Sequence, residues 1–126
     1  MTVGQKIKFV CGRRVVLEIK KIVENKTLTV ELAGRLDATT SPELDKELEE
    51  SLEGIKNLVF DFAELSYIAS AGLRTLLKYQ KQTDKHDCTM QIKNVSPEVR
   101  EIFEITGFID FLNIVEVPIK KLSIEF

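Results

Sequence analysis

The 126 residues suffice for one domain with a real core, and 44% hydrophobic with 30% charged residues is the balance of a soluble globular protein. A net charge of −2 excludes the basic footprint of a nucleic-acid binder, and no apolar run nears the roughly 20 residues that a membrane-spanning helix needs. The two cysteines, Cys11 and Cys88, form no ligand cluster and read as reduced thiols of a cytoplasmic protein that binds no metal.

Residues 1–16 are not apolar enough for a secretory signal. They read either as an extra edge strand or as a translated, non-native leader. Gly12-Arg13-Arg14 can be written in purine-rich codons containing AGGAGG, a bacterial ribosome-binding sequence, and Leu17 by TTG, which can start translation.

Residues 17–23 and 27–32 are β-prone runs joined by a turn at Glu24-Asn25-Lys26. Leu28, Val30 and Leu32 alternate with Thr27, Thr29 and Glu31, as in a hairpin with one face on a core. Gly34-Arg35-Leu36-Asp37 follows as a loop, with Asp37 in the turn-forming role common for aspartate. A helix starts near Ser41-Pro42, capped by Ser41 or by a Thr40/Glu43 capping box. Leu44, Leu48, Leu52 and Ile55 form its apolar stripe, and Gly54 marks its end. The acidic run on its other side is a solvated face.

Residues 58–62, Leu-Val-Phe-Asp-Phe, are a buried strand. A helix follows, with Leu73, Leu76 and Leu77 at helical spacing, and Ser70 falls at its start. Free backbone N–H groups and the positive end of the helix dipole gather there. A serine in that place can cap the helix, attack a substrate, or carry a phosphate. Residues 83–87 end the helix, and residues 88–92 form a strand with Cys88, Met90 and Ile92 on one face. Ser96-Pro97 opens a third helix, striped by Val99, Ile102, Phe103 and Thr106 and stopped by Gly107. A last strand lies near residues 112–117, and residues 119–126 are a tail or an edge segment. Phe103, Phe108 and Phe111 read as core, and Lys20-Lys21 as a solvated face.

Strands alternating with helices of this length predict an α/β fold with right-handed crossovers onto a mixed, mostly parallel sheet, opened by an N-terminal hairpin. Loops at the carboxyl ends of strands carry function in such sheets. The stretches at residues 34–37 and 67–70 both follow strands and can meet on one surface.

The anchors Gly34-Arg35-Leu36-Asp37, Asp61-Phe62, Tyr67-Ile68-Ala69-Ser70-Ala71-Gly72-Leu73-Arg74 and Ser96-Pro97 through Gly107-Phe108 occur in one order and spacing. On these residues the chain resembles the STAS domain, the family of bacterial anti-sigma factor antagonists and sulfate-transporter tails, over about residues 17–117. The resemblance implies the STAS-like fold, a domain over 17–117, an extension over 1–16 and a tail over 118–126. It implies that a partner serine kinase, itself the anti-sigma factor, phosphorylates Ser70, that a serine phosphatase reverses this, and that Asp37 shares the surface. It implies neither catalysis by the chain nor a cofactor. Ile68, Ala69, Ala71, Gly72 and Leu73 are the expected partner contacts around Ser70, with the small residues allowing close approach and Ile68, Leu73 and the neighbouring Tyr67 offering apolar area. The family often carries Asp-Ser-Ser-Gly or Asp-Ser-Thr-Gly here, whereas this chain has Ala69-Ser70-Ala71-Gly72. The acid and the second hydroxyl are missing, which leaves Ser70 as the sole acceptor in the loop.

Three competing readings stand beside this one. A serine hydrolase would need a base, but His86 lies at the far end of a straight helix, roughly 20 Å or more from Ser70, and Ile68 replaces the first glycine of a nucleophile elbow. A phosphorylation-independent interaction or scaffold module would use Ser70 only as a helix cap. Nucleotide binding lacks a glycine-rich phosphate loop.

Overall fold

The computed structural model of the chain describes residues 3–11 and 14–115. Strand β1 (Val3–Cys11) pairs antiparallel with β2 (Arg14–Glu24), and β2 pairs antiparallel with β3 (Thr27–Leu36). The expected hairpin is therefore β2–β3, and β1 lies at the edge of the sheet. Asn25 and Lys26 turn the chain with φ of 53° and 64°. This left-handed pair matches a type I′ turn, whose twist suits the flanking strands.

Helix α1 (Ser41–Ser51), β4 (Asn57–Ile68), α2 (Ser70–Lys85), β5 (Thr89–Lys93), α3 (Pro97–Thr106), a short 3₁₀ turn (Phe108–Asp110) and β6 (Ile114–Val115) follow. The three pairs from β3 to β6 are parallel, so the six-stranded sheet is mixed and runs in chain order. Right-handed crossovers along strands added in one direction put every helix on the same face. The burial pattern agrees. Leu28, Val30 and Leu32 of β3, Leu58, Phe60 and Phe62 of β4, and Met90 and Ile92 of β5 are buried. They share one core with Leu44 and Leu48 of α1, Leu73, Leu76 and Tyr79 of α2, and Val99 and Phe103 of α3. Each large apolar side chain so buried contributes about 1.5–3 kcal/mol relative to exposure. The intervening positions Glu31, Asp61, Gln91 and Lys93 take the opposite face.

Several local expectations need correction. The loop expected at Gly34-Arg35-Leu36 is the end of β3, and the strand expected at 58–62 runs on to Ile68. Parallel pairing carries both past their local sequence signals, ending at Arg35↔Tyr67 and Leu36↔Ile68. Two register irregularities absorb the mismatch, between Glu31 and Ala33 and between Gly34 and Arg35. Gly34 sits at φ 113°, and a Cβ there would lie 2.5 Å from the Val16 carbonyl oxygen. Asp61 Oδ1 accepts from Ala63 N–H at 3.0 Å and Asn94 Nδ2 at 3.1 Å, tying the middle of β4 to the loop after β5.

Neither expected cap of α1 forms. The Thr40 hydroxyl accepts from Asp37 N–H and bonds the Arg35 carbonyl, both at 2.9 Å, while the Ser41 hydroxyl is buried without a protein partner. The third helix behaves as expected, with Ser96 Oγ accepting from Val99 N–H and Gly107 left-handed at its end. Lys21 is 7% exposed rather than solvated, because its ammonium reaches Glu47 and Ser51 of α1 at 2.8 Å each. Phe103 is core and Phe108 half-buried, but Phe111 is exposed, lying beyond the third helix. Cys88 precedes β5 rather than joining it and is a half-buried free thiol. The last strand is described as Ile114–Val115, and the segment at 119–126 lies outside the described residues.

Candidate functional site

The ends of β3 and β4 and the start of α2 meet in one place. Arg35 and Tyr67 are register partners, as are Leu36 and Ile68, and the Ala69 N–H donates to the Leu36 carbonyl at 2.9 Å. One residue beyond each member of that last bond stand Asp37 and Ser70. The two stretches expected to meet are thus stitched together by backbone.

Asp37 is held in a tight turn. Its Oδ1 accepts from the N–H groups of Thr39 at 3.0 Å and Thr40 at 3.2 Å. Its carbonyl accepts from Ser41 N–H at 2.8 Å, leading straight into α1. Partial burial works against the charged carboxylate. The hydrogen bonds from Thr40 and Thr39 and the Arg35 guanidinium outweigh it, so the group titrates below the usual range. Arg35 Nε is 3.7 Å from Asp37 Oδ2, and its guanidinium carbon lies 4.5 Å from the centre of the Tyr67 ring. Both side chains are exposed, so this stack forms an ordered part of the surface.

Ser70 is exposed and is the first residue of α2. The reading of Ser70 as helix cap is corrected: Ala69, with extended backbone, holds the cap position, and no side chain caps the helix. The helix begins at Ser70 itself, one residue earlier than a serine cap requires. The first backbone bond of α2 joins Leu73 N–H to the Ala69 carbonyl at 3.1 Å. The N–H groups of Ser70, Ala71 and Gly72 come before it and have no acceptor within the helix. The Ser70 hydroxyl accepts from Arg74 Nη2 at 3.4 Å, one turn along the helix. Reading the sequence for site residues overlooks Arg74, although its i, i+4 spacing from Ser70 is the signal that finds it.

The expected partner contacts divide by burial. Asp37, Ala69 and Ala71 are half-buried beside the exposed Ser70. Ile68 and Leu73 are 1% and 2% exposed, so the expectation that they offer apolar area is corrected: both belong to the core. Gly72 is buried too. Its missing side chain makes room for the protein's own core, since a Cβ there would lie 2.8 Å from Leu36 Cγ and 2.9 Å from Ile68 Cγ1. These three residues position the surface from beneath.

Behind the site, α2 is clamped to α1. The buried Tyr79 presents its hydroxyl to the Asp45 carboxylate and carbonyl, and Lys78 Nζ reaches Asp45 at 2.8 Å and Glu49 at 3.1 Å. Burial and the adjacent Asp45 carboxylate push the Tyr79 phenol well above its ordinary pKa. His86 closes the opposite end of α2, which is 16 residues long, roughly 24 Å at 1.5 Å per residue. Among the described residues no group of His, Cys, Asp and Glu converges as a metal site, and no helix is long and apolar enough to cross a membrane.

Known proteins are similar to this chain. The STAS domain family model matches residues 16–120. An anti-sigma-B factor antagonist of Staphylococcus aureus (strain NCTC 8325 / PS 47) is 30% identical over 101 residues, covering 79% of this chain and 94% of its own length. The structure of the anti-sigma factor antagonist SpoIIAA in its unphosphorylated form is similar at a TM-score of 0.68 and 18% identity, covering 82% of this chain and 90% of that one. The Bacillus cell fate determinant SpoIIAA in its phosphorylated form is similar at 0.63 and 17%, covering 82% and 94%. At such identities the two structures speak for the fold. The match to the family over most of the chain, with the sheet order and the strand-to-helix junction at Ser70, leads to one conclusion: the chain belongs to the STAS domain family.

Proposed function

We propose that the protein is an anti-sigma factor antagonist. Its unphosphorylated form binds an anti-sigma factor that is also a serine kinase, and that kinase switches it off by phosphorylating Ser70. A serine phosphatase restores it. The acting unit is the domain over residues 17–117, with 1–16 as an extension and 118–126 as a tail. The protein works in the cytoplasm by binding rather than catalysis, without cofactor, metal, nucleic acid or membrane span. Asp37, Ala69, Ser70 and Ala71 touch the partner, and Ile68, Gly72 and Leu73 hold them in place.

The observation that carries this reading is the exposed Ser70 hydroxyl at the first position of α2, relieved of the capping role by Ala69. A phosphate there adds roughly −1.5 to −2 charge at neutral pH. Next to a helix N-terminus the anion is tolerated within the chain. Inside a close interface it must be paired, or it costs several kcal/mol in desolvation, and it lies on the same surface as the Asp37 carboxylate. One modification thus expels a partner and leaves the fold intact. The names of the curated relatives support the sigma-factor context.

Two measurements test the proposal. Intact mass and phosphosite mapping on protein from its own host should find one phosphate, on Ser70. The same mass reports whether the native chain starts at Met1 or near Leu17. A Ser70→Asp variant should lose at least about tenfold in affinity for the co-purifying kinase, equivalent to ~1.4 kcal/mol. A chain without phosphate under all growth conditions, or a Ser70→Asp variant that binds as tightly as wild type, would move the function to a phosphorylation-independent interaction module.

A further inference from the structure

We propose that Arg74 is the built-in partner of the phosphate on Ser70: its guanidinium closes on the phosphoryl oxygens and holds them against α2. The inference rests on the Ser70 reading above and adds how the modified site is read within the chain. Ser70 and Arg74 stand four apart on one helix and share a face. Both are exposed, and Arg74 Nη2 already lies 3.4 Å from Ser70 Oγ. The phosphoryl group extends from that oxygen toward a planar donor fork suited to bidentate contact with phosphate.

The surrounding charges leave Arg74 uncommitted. Among the described residues it has no carboxylate partner, in contrast to Arg35 with Asp37, Arg100 with Glu104 and Lys78 with Asp45. The first turn of α2 contains no acid, whereas those of α1 and α3 contain Glu43 and Glu98. Ala69 stands just before the serine. Other charges on this surface are Asp37 and Arg35, which pair with each other on the β3 side, where Arg35 covers Tyr67 of β4. Phosphorylation therefore does two things. It adds an anion to the surface, and it withdraws the Arg74 cation from any carboxylate that a partner presents. The switch is a change of sign at one spot rather than a change of shape.

The test installs phosphoserine at position 70 of the full chain by genetic encoding and follows its phosphorus resonance against pH. Wild type, Arg74→Gln and Arg74→Lys are compared. The second ionisation of phosphoserine is near 6. The wild-type phosphate should titrate about half a unit or more below that of Arg74→Gln, a discounted value for an opposite charge at contact on an exposed site. Arg74→Lys should fall between them, because an ammonium supplies charge without the fork. The helix end is the same in all three proteins, so the difference isolates the side chain at position 74. Amide spectra matching wild type confirm that each variant is folded. Coincident titrations of wild type and Arg74→Gln overturn the inference and leave the proposed function standing. Because the phosphate is installed rather than added by a kinase, absence of phosphate in the host overturns the proposed function and does not alter this titration.

Discussion

Replacing Gly72 with alanine separates two roles for that residue, packing within the chain and approach by a partner. The added methyl would lie 2.8 Å and 3.0 Å from Leu36 Cγ and Cδ2, and 2.9 Å from Ile68 Cγ1. Two of those atoms are branch-point or near-backbone carbons of side chains 0% and 1% exposed, with neighbours on all sides. They cannot swing away as a flexible chain end would. Overpacking of this kind costs typically about 1–3 kcal/mol. Alanine returns up to ~1 kcal/mol over glycine within a helix, and less at its first turn. The net expectation is a loss of about 1–2 kcal/mol. Urea unfolding followed by circular dichroism should show it as a lower midpoint at constant slope. With a slope of about 2 kcal/mol per molar, the middle of the usual range, the midpoint falls by roughly 0.5–1 M. The displacement falls on the pair Leu36 and Ile68, which flank the Ala69–Leu36 backbone bond, so partner affinity should drop as well. An unchanged or higher midpoint would refute the packing argument. An unchanged midpoint with affinity lost would return Gly72 to the role of partner contact.

Two further variants probe the frame and the site. Tyr79→Phe removes the hydroxyl facing Asp45 and should cost about 1–2 kcal/mol in thermal unfolding, the range for a bond to a charged group that water partly reaches. The native phenol pKa is raised, so its contribution is fully present below the unfolded value near 10 and is lost as pH rises past it. Wild type should therefore lose stability above about pH 10 more steeply than Tyr79→Phe, and parallel pH profiles would refute the contact. Asp37→Asn keeps an oxygen for the turn N–H groups and should leave neutral-pH stability within about 1 kcal/mol of wild type. Because the native Asp37 pKa is depressed, its charge-dependent stability is present above the unfolded value and lost as pH falls through the folded one. The acid limb below about pH 4 should flatten in Asp37→Asn, and an unchanged limb would place the pH dependence elsewhere.

Elements with strong local signals were readable without coordinates. The third helix, from the Ser96 cap to left-handed Gly107, depends only on residues close to one another in sequence, and it forms as expected. The type I′ turn at Asn25-Lys26 is similarly local. What escaped depends on partners distant in sequence. Gly34-Arg35 looks like a loop, yet it is strand because β4 lies alongside it, and residues 63–68 are strand for the same reason. The helix takes in Ser70 and leaves Ala69, directly after the strand, at the cap. Lys21 looked solvated because nothing in its own run announces Glu47 and Ser51, 26 and 30 residues later. At the candidate site, the meeting of the Asp37 and Ser70 stretches was legible, whereas the burial of Ile68 and Leu73 was not. An apolar residue beside a functional serine reads equally well as contact or as core until the sheet decides.

The division between buried and exposed residues fits the switch proposed above, because a charge on the surface need not strain the frame. Leu36, Ile68, Gly72 and Leu73 lie beneath it and are packed as tightly as the rest of the core. Arg35, Tyr67, Ser70 and Arg74 lie above it and face water. A charge placed on Ser70 disturbs one exposed contact at 3.4 Å, of the class worth 1 kcal/mol or less. In the proposed complex the same charge would meet a partner where water is excluded, and there an unpaired anion costs several kcal/mol. On the proposed function, modification should couple strongly to binding and weakly to folding. Ser70→Asp should accordingly change affinity with little movement of the unfolding midpoint, and Gly72→Ala should move the midpoint first. A Ser70→Asp variant that unfolded markedly earlier than wild type would show that the serine belongs to the frame after all.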